Sequence, residues 1–184
     1  MTWQLRRAEA GDLEAIMQLE DSIFANDAWS SGTMRNELAN VNAWYLVAFE
    51  PETPENIDAY AGLLVPRGAK EADIQTIAVA EHARRSGLGR TLILTLVNEA
   101  RTRGATEVFL EVRADNPGAQ ALYRSLGFEE IAVREKYYQP DGVDAIVMRL
   151  AVPPRRSTFT APETGSPHPE QEGPGDGHPS GEHA

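Results

Sequence analysis

The chain of 184 residues contains no cysteine. This absence excludes disulfide bonds, cysteine-ligated metal sites and a cysteine nucleophile, and it suits a reducing compartment. Long apolar runs are missing too, since no stretch approaches the 18 or so apolar residues of a membrane span. The nearest, residues 92–97, has the spacing of a helix core. The first residues carry no apolar run after their charges, so we expect no secretory signal and a cytoplasmic location.

Positive charge is also scarce. Seventeen lysines and arginines stand against 28 acidic residues, which gives a formal net charge of −11. Phosphate backbones require a basic face, so this balance argues against nucleic acid as the main ligand. It is compatible with a basic partner such as a cationic peptide, although charge alone does not select one. The basic cluster at residues 84–90 stands out against this background.

A change of composition near residue 153 marks the end of the predicted folded domain. The last 32 residues hold seven of the twelve prolines and only one large apolar residue, Phe159. Such a segment cannot bury enough apolar surface to offset the entropy of ordering it. We therefore predict one domain over residues 1–152 and a disordered acidic tail over residues 153–184. The three histidines of the tail are too far apart in flexible sequence to predict a metal site.

Hydrophobic periodicity predicts alternating strands and helices over the first 150 residues. Strands are predicted over residues 5–8, 44–49, 59–65, 72–79, 107–113, 128–134 and 143–150. Helices are predicted from an N-cap at Asp12, over residues 30–40, from the glycines at 87 and 89 to Gly104, and from an Asn116-Pro117 start. The predicted fold class is α/β (α+β), with a mixed sheet covered by helices on both faces and a last loop carrying Tyr137 and Tyr138.

The most informative stretch joins the strand at residues 72–79 to the helix that follows it. Arg84, Arg85 and Arg90 flank Gly87 and Gly89 in this stretch. Glycines let the backbone approach a bulky anion, and the first turn of a helix points unpaired N–H groups at it. The stretch therefore predicts a phosphate cradle, although glycine-rich turns before helices are common.

Several ordered motifs, taken together, resemble the GNAT acetyltransferase superfamily. They are Ile77-Ala78-Val79 with Arg84-x-x-Gly87-x-Gly89, then Leu110-Glu111-Val112-Arg113, then Asn116-x-x-Ala119-x-x-Leu122-Tyr123-x-x-x-Gly127-Phe128, and finally Arg134-x-x-Tyr137-Tyr138 with Asp144-Ala145-Ile146-x-Met148. The last of these narrows the resemblance to the RimI branch, the bacterial ribosomal-protein alanine N-acetyltransferases. The resemblance is dense from about residue 73 to residue 150 and looser over residues 1–72.

The resemblance implies the GNAT fold, a mixed and mostly antiparallel sheet of about seven strands that splays between the fourth and fifth strands. It implies direct transfer of an acetyl group from acetyl-CoA, with no metal, to the α-amine of a protein N-terminus. In that branch the acceptor is ribosomal protein S18. The residues then expected to bind acetyl-CoA are Ile77, Ala78, Val79, Arg84, Arg85, Ser86, Gly87, Leu88, Gly89, Arg90, Asn116 and Tyr123.

The resemblance places catalytic roles on Glu111 and Tyr123. Glu111 matches the base that takes the proton of the amine, directly or through one water, and Tyr123 matches the proton donor to the departing thiolate. An α-amine with a pKa of about 7.7–8.0 is partly deprotonated at neutral pH, so it needs only modest help from a base. The residues alone also allow a solvent-facing Glu111 paired with Arg113 or Arg101, and a Tyr123 that only packs in the core.

Trp29, Tyr137 and Tyr138 fall where the family lines its peptide groove, and each also suits a packing aromatic. Two departures concern this groove. Ala28 stands where a proline usually precedes the tryptophan, and the loop at residues 139–143 is short. The resemblance therefore leaves the acceptor preference open. Two alternatives remain, namely acetylation of a small amine or a lysine side chain, and a non-catalytic module that binds acyl-CoA. Neither nucleic acid nor a membrane is expected as a partner.

Overall fold

The computed structural model describes residues 2–24 and 27–154, so the predicted tail lies outside it apart from residues 153 and 154. Within these residues the strands β1 to β7 are Gln4–Arg7, Ala43–Phe49, Ala59–Leu64, Glu71–Val79, Glu107–Arg113, Glu129–Tyr138 and Val143–Ala151. The α-helices α1 to α4 of the same residues are Leu13–Phe24, Ser31–Ala39, Leu88–Thr102 and Pro117–Ser125. None of these helices is long and apolar enough to cross a membrane. The predicted order of strands and helices is confirmed.

The seven strands form one sheet in the order β1-β2-β3-β4-β5-β7-β6. Neighbouring strands are antiparallel except for β4 and β5, which are parallel. The pairing of β4 with β5 ends at Ile74 opposite Leu110, yet β4 continues to Val79 and β5 continues to Arg113. The two strands therefore separate in the middle of the sheet. This opening, which we call the splay, confirms the predicted break between the fourth and fifth strands.

Helices cover both faces of the sheet, as predicted, so the central strands are apolar on both sides. In β2, Leu46 and Ala48 belong to one core, while Tyr45 and Val47 belong to the other. The first core packs against α3 through residues at helical spacing, namely Leu88, Leu92, Ile93, Leu96, Val97 and Ala100. The second core packs against α1 and α2 through Ile16, Leu19 and Met34.

Two helices begin at side-chain caps, of which the one at Asn116 was predicted, whereas Ser30 was predicted to be the first helical residue. The Ser30 hydroxyl accepts a hydrogen bond from the Thr33 N–H at 3.0 Å, and Oδ1 of Asn116 accepts one from the Ala119 N–H at 3.1 Å. Each bond satisfies a donor that the first turn of a helix leaves without an intrahelical partner. The cap at Asn116 matters for the site because it fixes where α4 begins beside the splay.

The predicted N-cap at Asp12 is wrong. Asp12 ends a short 3-10 turn, Ala10–Asp12, that leads into α1. Its carboxylate accepts a hydrogen bond from the Glu9 N–H at 2.8 Å and pairs with Arg6 at 2.7 Å. Asp12 is thus the third position of a capping box whose first position is Glu9. The preference of aspartate for the start of a helix does not tell these two positions apart.

The last hairpin also differs from the prediction. Strand β6 extends to Tyr138, so Tyr137 and Tyr138 end a strand instead of lying in a loop. Between Arg134 and Tyr138, β6 advances four residues while β7 advances two, which marks a bulge. Lys136 has a φ of 51° in this bulge, and its N–H donates to Oδ1 of Asp144 at 2.8 Å. The Asp144 side chain of β7 thereby satisfies a backbone donor that the bulge removes from the strand pairing. Hydrophobic periodicity cannot reveal a contact of this kind.

Candidate active site

A basic cradle lies where β4 leads into α3. Gly87, the N-cap of α3, has a φ of 89° and offers no side-chain cap, so the first N–H groups of the helix lack an intrahelical partner. These groups and the helix dipole favour a bound anion. The cavity beside them has a volume of about 490 Å³ and is lined by Val79, Arg84, Arg85, Gly87, Gly89, Arg90, Gly118, Ala121 and Leu122.

The absence of a side chain at Gly89 keeps this cradle open. A Cβ at this position would lie 3.7 Å from Leu122 and 3.9 Å from Val79, which are ordinary van der Waals distances. Packing of the protein therefore does not require glycine here. Arg85 nearby has a φ of 61°, an uncommon conformation for a residue with a side chain, of the kind that clusters at ligand sites. The space and the exposed backbone fit a pyrophosphate.

Three residues predicted to bind the cofactor point their side chains elsewhere. The Ser86 hydroxyl donates to the Ala83 carbonyl at 2.6 Å and accepts a weak bond from the Leu88 N–H at 3.3 Å. The side chains of Leu88 and Ala78 are buried in the two cores. Any contact of these residues with a ligand therefore involves their backbone groups.

The backbone of β4 is exposed along the splay. The Ala80 N–H donates to the Asp58 carbonyl on the β3 side at 2.8 Å. Alternate residues of an antiparallel ladder direct their polar groups to opposite sides, so those of Ile77 and Val79 point away from β3 and into the splay. The Val79 carbonyl accepts from Nε of Arg84 at 3.0 Å. An exposed strand edge of this kind suits an extended ligand that carries amide groups.

A second cavity, of about 210 Å³, occupies the splay and is bordered by Ile77, Asn116 and Tyr123. The ring of Tyr123 packs edge-to-face on Phe128 with the centroids 5.9 Å apart. Within residues 2–24 and 27–154 its hydroxyl has no hydrogen-bond partner. Burial, with a smaller contribution from Tyr138, raises the pKa of Tyr123 to about 12. The phenol is therefore protonated at neutral pH and free to donate a hydrogen bond to a ligand in the splay.

A third cavity, of about 320 Å³, lies beyond the splay; we call it the acceptor cavity. It is lined by Trp29, Asp73, Ile74, Gln75, Phe109, Leu110, Glu111, Tyr137, Tyr138 and Val147. Glu111 also borders the cavity of the splay, so it lies where the two spaces meet. Its side chain is on the face of β5 opposite to the buried Val108, Leu110 and Val112.

Glu111 is held by groups from β6. Its Oε1 lies 2.6 Å from Nη1 of Arg134, so the partners suggested by the sequence, Arg113 and Arg101, are not the ones that it has. The Glu111 carboxylate raises the pKa of the nearby Tyr137 hydroxyl. The Glu111 side chain keeps 26% of its surface exposed toward the cavity. The carboxylate is thus oriented by two neighbours while remaining accessible to a ligand.

The structure brings the three predicted groove aromatics together around Glu111. Trp29 and Tyr138 border both neighbouring cavities, and Tyr137 borders the acceptor cavity. The two tyrosine rings pack edge-to-face with the centroids 5.2 Å apart. Burial raises the pKa of Tyr138 to about 12. In the part of the chain that the structure describes, no group of three or more acidic or histidine side chains could hold a metal ion.

Sequence reasoning missed Glu20, which lies on α1 and borders the splay. Its side chain is only 1% exposed, and burial raises its pKa. Oε1 accepts a hydrogen bond from the Trp29 N–H at 2.9 Å, and Oε2 accepts one from the Tyr60 hydroxyl. A signal was present, because Glu20 falls on the same helical stripe as Ile16 and Ile23, where an acidic residue is unexpected.

Sequence reasoning also missed the role of Arg113, the last residue of β5. Its guanidinium reaches Asp27, Asp115 and Asp141, which belong to different loops. No local pattern links these residues, because Asp27 is 86 positions away in the sequence. This contact could be found only from the folded chain.

Comparison with known proteins identifies a family that this chain matches. The acetyltransferase (GNAT) family model matches residues 13–128. N-alpha-acetyltransferase RimI of Mycobacterium tuberculosis is 36% identical over 141 residues, which cover 75% of this chain and 85% of that protein. The crystal structure of the ribosomal-protein-S18-alanine N-acetyltransferase from Escherichia coli matches with a TM-score of 0.73 and 33% identity, covering 86% of this chain and all of that one.

The relatives differ in how much of their length the chain spans. The uncharacterized protein ML0378 of Mycobacterium leprae is 39% identical over 141 residues, and the match covers 75% of this chain but only 38% of that protein. The family match nevertheless covers well over half of the present chain and includes the cradle, the splay and Glu111. The chain belongs to the GNAT acetyltransferase family.

Proposed function

We propose that this protein transfers the acetyl group of acetyl-CoA to the N-terminal α-amine of a protein, in the cytoplasm. The observation that carries the proposal is the succession of three cavities along β4. The cradle suits a pyrophosphate, the backbone exposed in the splay suits the amides of the pantetheine arm, and Glu111 lies where the acetyl end would meet an acceptor.

Acetyl-CoA would supply an activated thioester, and the chain would supply two proton-handling groups. Glu111 takes the proton of the attacking amine, directly or through one water. Tyr123 faces the departing sulfur. Because the pKa of its phenol, about 12, exceeds the value of about 8.5 for a thiol, its simplest action is to donate a hydrogen bond to the developing thiolate. Asn116 holds the start of α4 and thereby the position of Tyr123.

The acceptor enters, in this proposal, from the side of Trp29, Tyr137 and Tyr138. An α-amine is the favoured nucleophile, because a lysine with a pKa near 10.4 is almost fully charged at neutral pH. The names of two relatives specify N-alpha acetylation and acetylation of the alanine of ribosomal protein S18. We propose the N-terminal alanine of S18 as the acceptor, and the net charge of −11 is compatible with a basic partner.

Purified full-length chain, acetyl-CoA and a panel of peptides that differ in the first residue would test the proposal. The panel includes the S18 N-terminus, and each peptide is paired with a control whose α-amine is blocked. We expect mass spectrometry to locate the acetyl group on the free α-amine and to find no product from the blocked peptides. Product only on lysine side chains would favour the side-chain alternative. Coenzyme binding without any turnover would instead indicate a non-catalytic module, and either result contradicts the proposal.

A further inference from the structure

Arg113 makes ion pairs with carboxylates from three segments of the chain. Its Nη1 lies 2.5 Å from Asp27, and its Nη2 lies 2.5 Å from Asp141. Asp115, just after β5, receives Nε at 3.0 Å and Nη2 at 3.1 Å. A guanidinium can do this because it carries five donors in one rigid plane. Backbone pairing through β7 already joins β5 to the hairpin of Asp141, whereas Arg113 adds a link to the segment of Asp27, 86 positions away in the sequence.

Two of these segments form walls of the acceptor cavity. Asp27 precedes Trp29 by two residues, and Asp141 follows Tyr138 by three residues. Arg113 also lies over the ring of Tyr138, with its Cζ 4.9 Å from the centroid. The arginine itself sits two residues beyond Glu111 on β5. It therefore reaches from the floor of the site to both aromatic walls.

We propose that Arg113 is a positioning residue that sets the width of the acceptor groove by holding these two walls together. This inference rests on the proposed function, because it concerns the affinity for the acceptor. Arg113 borders the cavity of the splay but not the acceptor cavity. It acts on the acceptor through Trp29 and Tyr138, and it has no part in the cradle.

We call the ion pairs of Arg113 with Asp27 and Asp141 the clasp. The two pairs differ in how far their side chains are exposed to solvent. The side chains of Arg113 and Asp27 are 24% and 23% exposed, whereas that of Asp141 is 49% exposed. Solvent and salt weaken exposed ion pairs most, so the link to Asp27 is the stronger one. The hydrogen bond from Arg113 lowers the pKa of Asp141. The link to Asp141 therefore stays ionised throughout the neutral range.

The first test is Arg113→Gln in the full chain. We expect the KM for the acceptor peptide to rise about tenfold, since coupled side chains contribute on that scale, while the KM for acetyl-CoA changes less than about twofold. Arg113→Lys keeps the positive charge but lacks the planar set of donors, so the peptide KM should rise less than it does in Arg113→Gln. Arg103→Gln is the matched control, because Arg103 is 25% exposed and paired with Glu99 at 2.8 Å on α3, away from the groove.

A mutant cycle with Asp27→Asn and Asp141→Asn separates the clasp from a general loss of charge. Each substitution alone should raise the peptide KM, with the larger rise for Asp27→Asn. In the Arg113→Gln background neither should add a further rise, because the link is already broken. Fully additive effects, or an Arg113→Gln variant with unchanged peptide KM, would overturn the proposal.

Hydrogen exchange provides a readout that does not depend on activity. Arg113→Gln should speed exchange in both segments, residues 27–30 and residues 139–142, whereas Asp27→Asn should speed it mainly in the first. Unchanged exchange in both segments of Arg113→Gln would contradict the clasp even if no peptide were turned over. Absence of turnover in the unmodified chain, with the exchange result as expected, would instead count against the proposed function alone.

Discussion

The two halves of the proposed active site, which we call the donor half and the acceptor half, consist of different kinds of groups. The donor half, formed by the cradle and the splay, uses backbone groups, the start of α3 and the space left by Gly89, with Arg84, Arg85 and Arg90 beside them. The acceptor half uses side chains from β4, β5, β6 and β7 and from the segment before α2, held by ion pairs such as Arg134 with Glu111. A backbone site is fixed by local conformation, whereas a side-chain site is fixed by contacts distant in sequence. Substitutions should therefore affect the donor half by filling space and the acceptor half by removing charge.

The largest expected effect is that of Glu111→Gln, at the junction of the two halves. Glutamine keeps the size of the side chain but cannot take a proton, so kcat should fall by roughly 10²–10⁴. Affinity for coenzyme A should be nearly unchanged, because Glu111 does not border the cradle. Steady-state kinetics and calorimetric titration with coenzyme A would measure the two quantities.

Glu107→Gln is the matched control for this prediction. Glu107 lies on the same face of the same strand and pairs with Arg149 at 3.3 Å, but it borders none of the three cavities. Its kcat should equal that of the unmodified chain. An unchanged kcat in Glu111→Gln at every pH would remove this carboxylate from the mechanism.

Tyr123→Phe comes next in size. The ring and its packing on Phe128 remain, so the melting temperature should be nearly unchanged. Loss of one hydrogen bond to a developing charge corresponds to a decrease of roughly 10- to 100-fold in kcat. Because the pKa of Tyr123 is about 12, the decrease should be the same at pH 7 and pH 9. A decrease that grew or vanished between these pH values would show that the phenol titrates during the reaction.

Glu111 and Tyr123 also show how much of the site the sequence could predict. The donor half follows from local signals: the glycines before α3, the cap at Asn116 and the alternation of β5 that turns Glu111 away from the core. The ion pairs of the acceptor half do not, because Arg134 and Arg113 meet their carboxylates only when strands and loops that are distant in the sequence come together. The strand position of Tyr137 depends likewise on a bulge that a side chain from β7 completes.

Gly89→Ala isolates the donor half. Alanine fits the folded protein at ordinary contact distances and suits a helix better than glycine, so the free energy of unfolding should rise by about 0.5–1 kcal/mol. The added methyl group occupies the floor of the cradle, so the KM for acetyl-CoA should rise about tenfold, as expected for overpacking of a fitted site. Gly32→Ala, in the first turn of α2, should give a similar gain in stability with no change in KM. Equal KM values for both variants would show that the cradle does not need this space.

Glu20→Gln tests the buried carboxylate that binds the Trp29 N–H of the acceptor half. Burial raises the pKa of Glu20 in the folded state above its ordinary value. A carboxyl group whose pKa is higher in the folded than in the unfolded state contributes stability when the pH is below its unfolded pKa. That contribution is lost as the pH rises through the folded pKa. The unmodified chain should therefore lose stability relative to Glu20→Gln as the pH increases from about 4.5 toward neutrality. Melting temperatures of both proteins over this range would measure the difference, and parallel curves would contradict the raised pKa.

The smallest expected effect is that of removing residues 153–184. The residues that line the three cavities all lie between Glu20 and Val147, so kcat and both KM values should be unchanged. The position of the cut matters, because Val152 is 1% exposed and its N–H donates to the Thr106 carbonyl at 2.7 Å. A chain that ends at Ala151 loses this buried side chain and should be less stable by about 1.5–3 kcal/mol. Comparison of the two truncations by thermal unfolding would place the end of the domain. A large loss of stability or turnover on removal of residues 153–184 alone would instead show that the tail contributes to one of the halves.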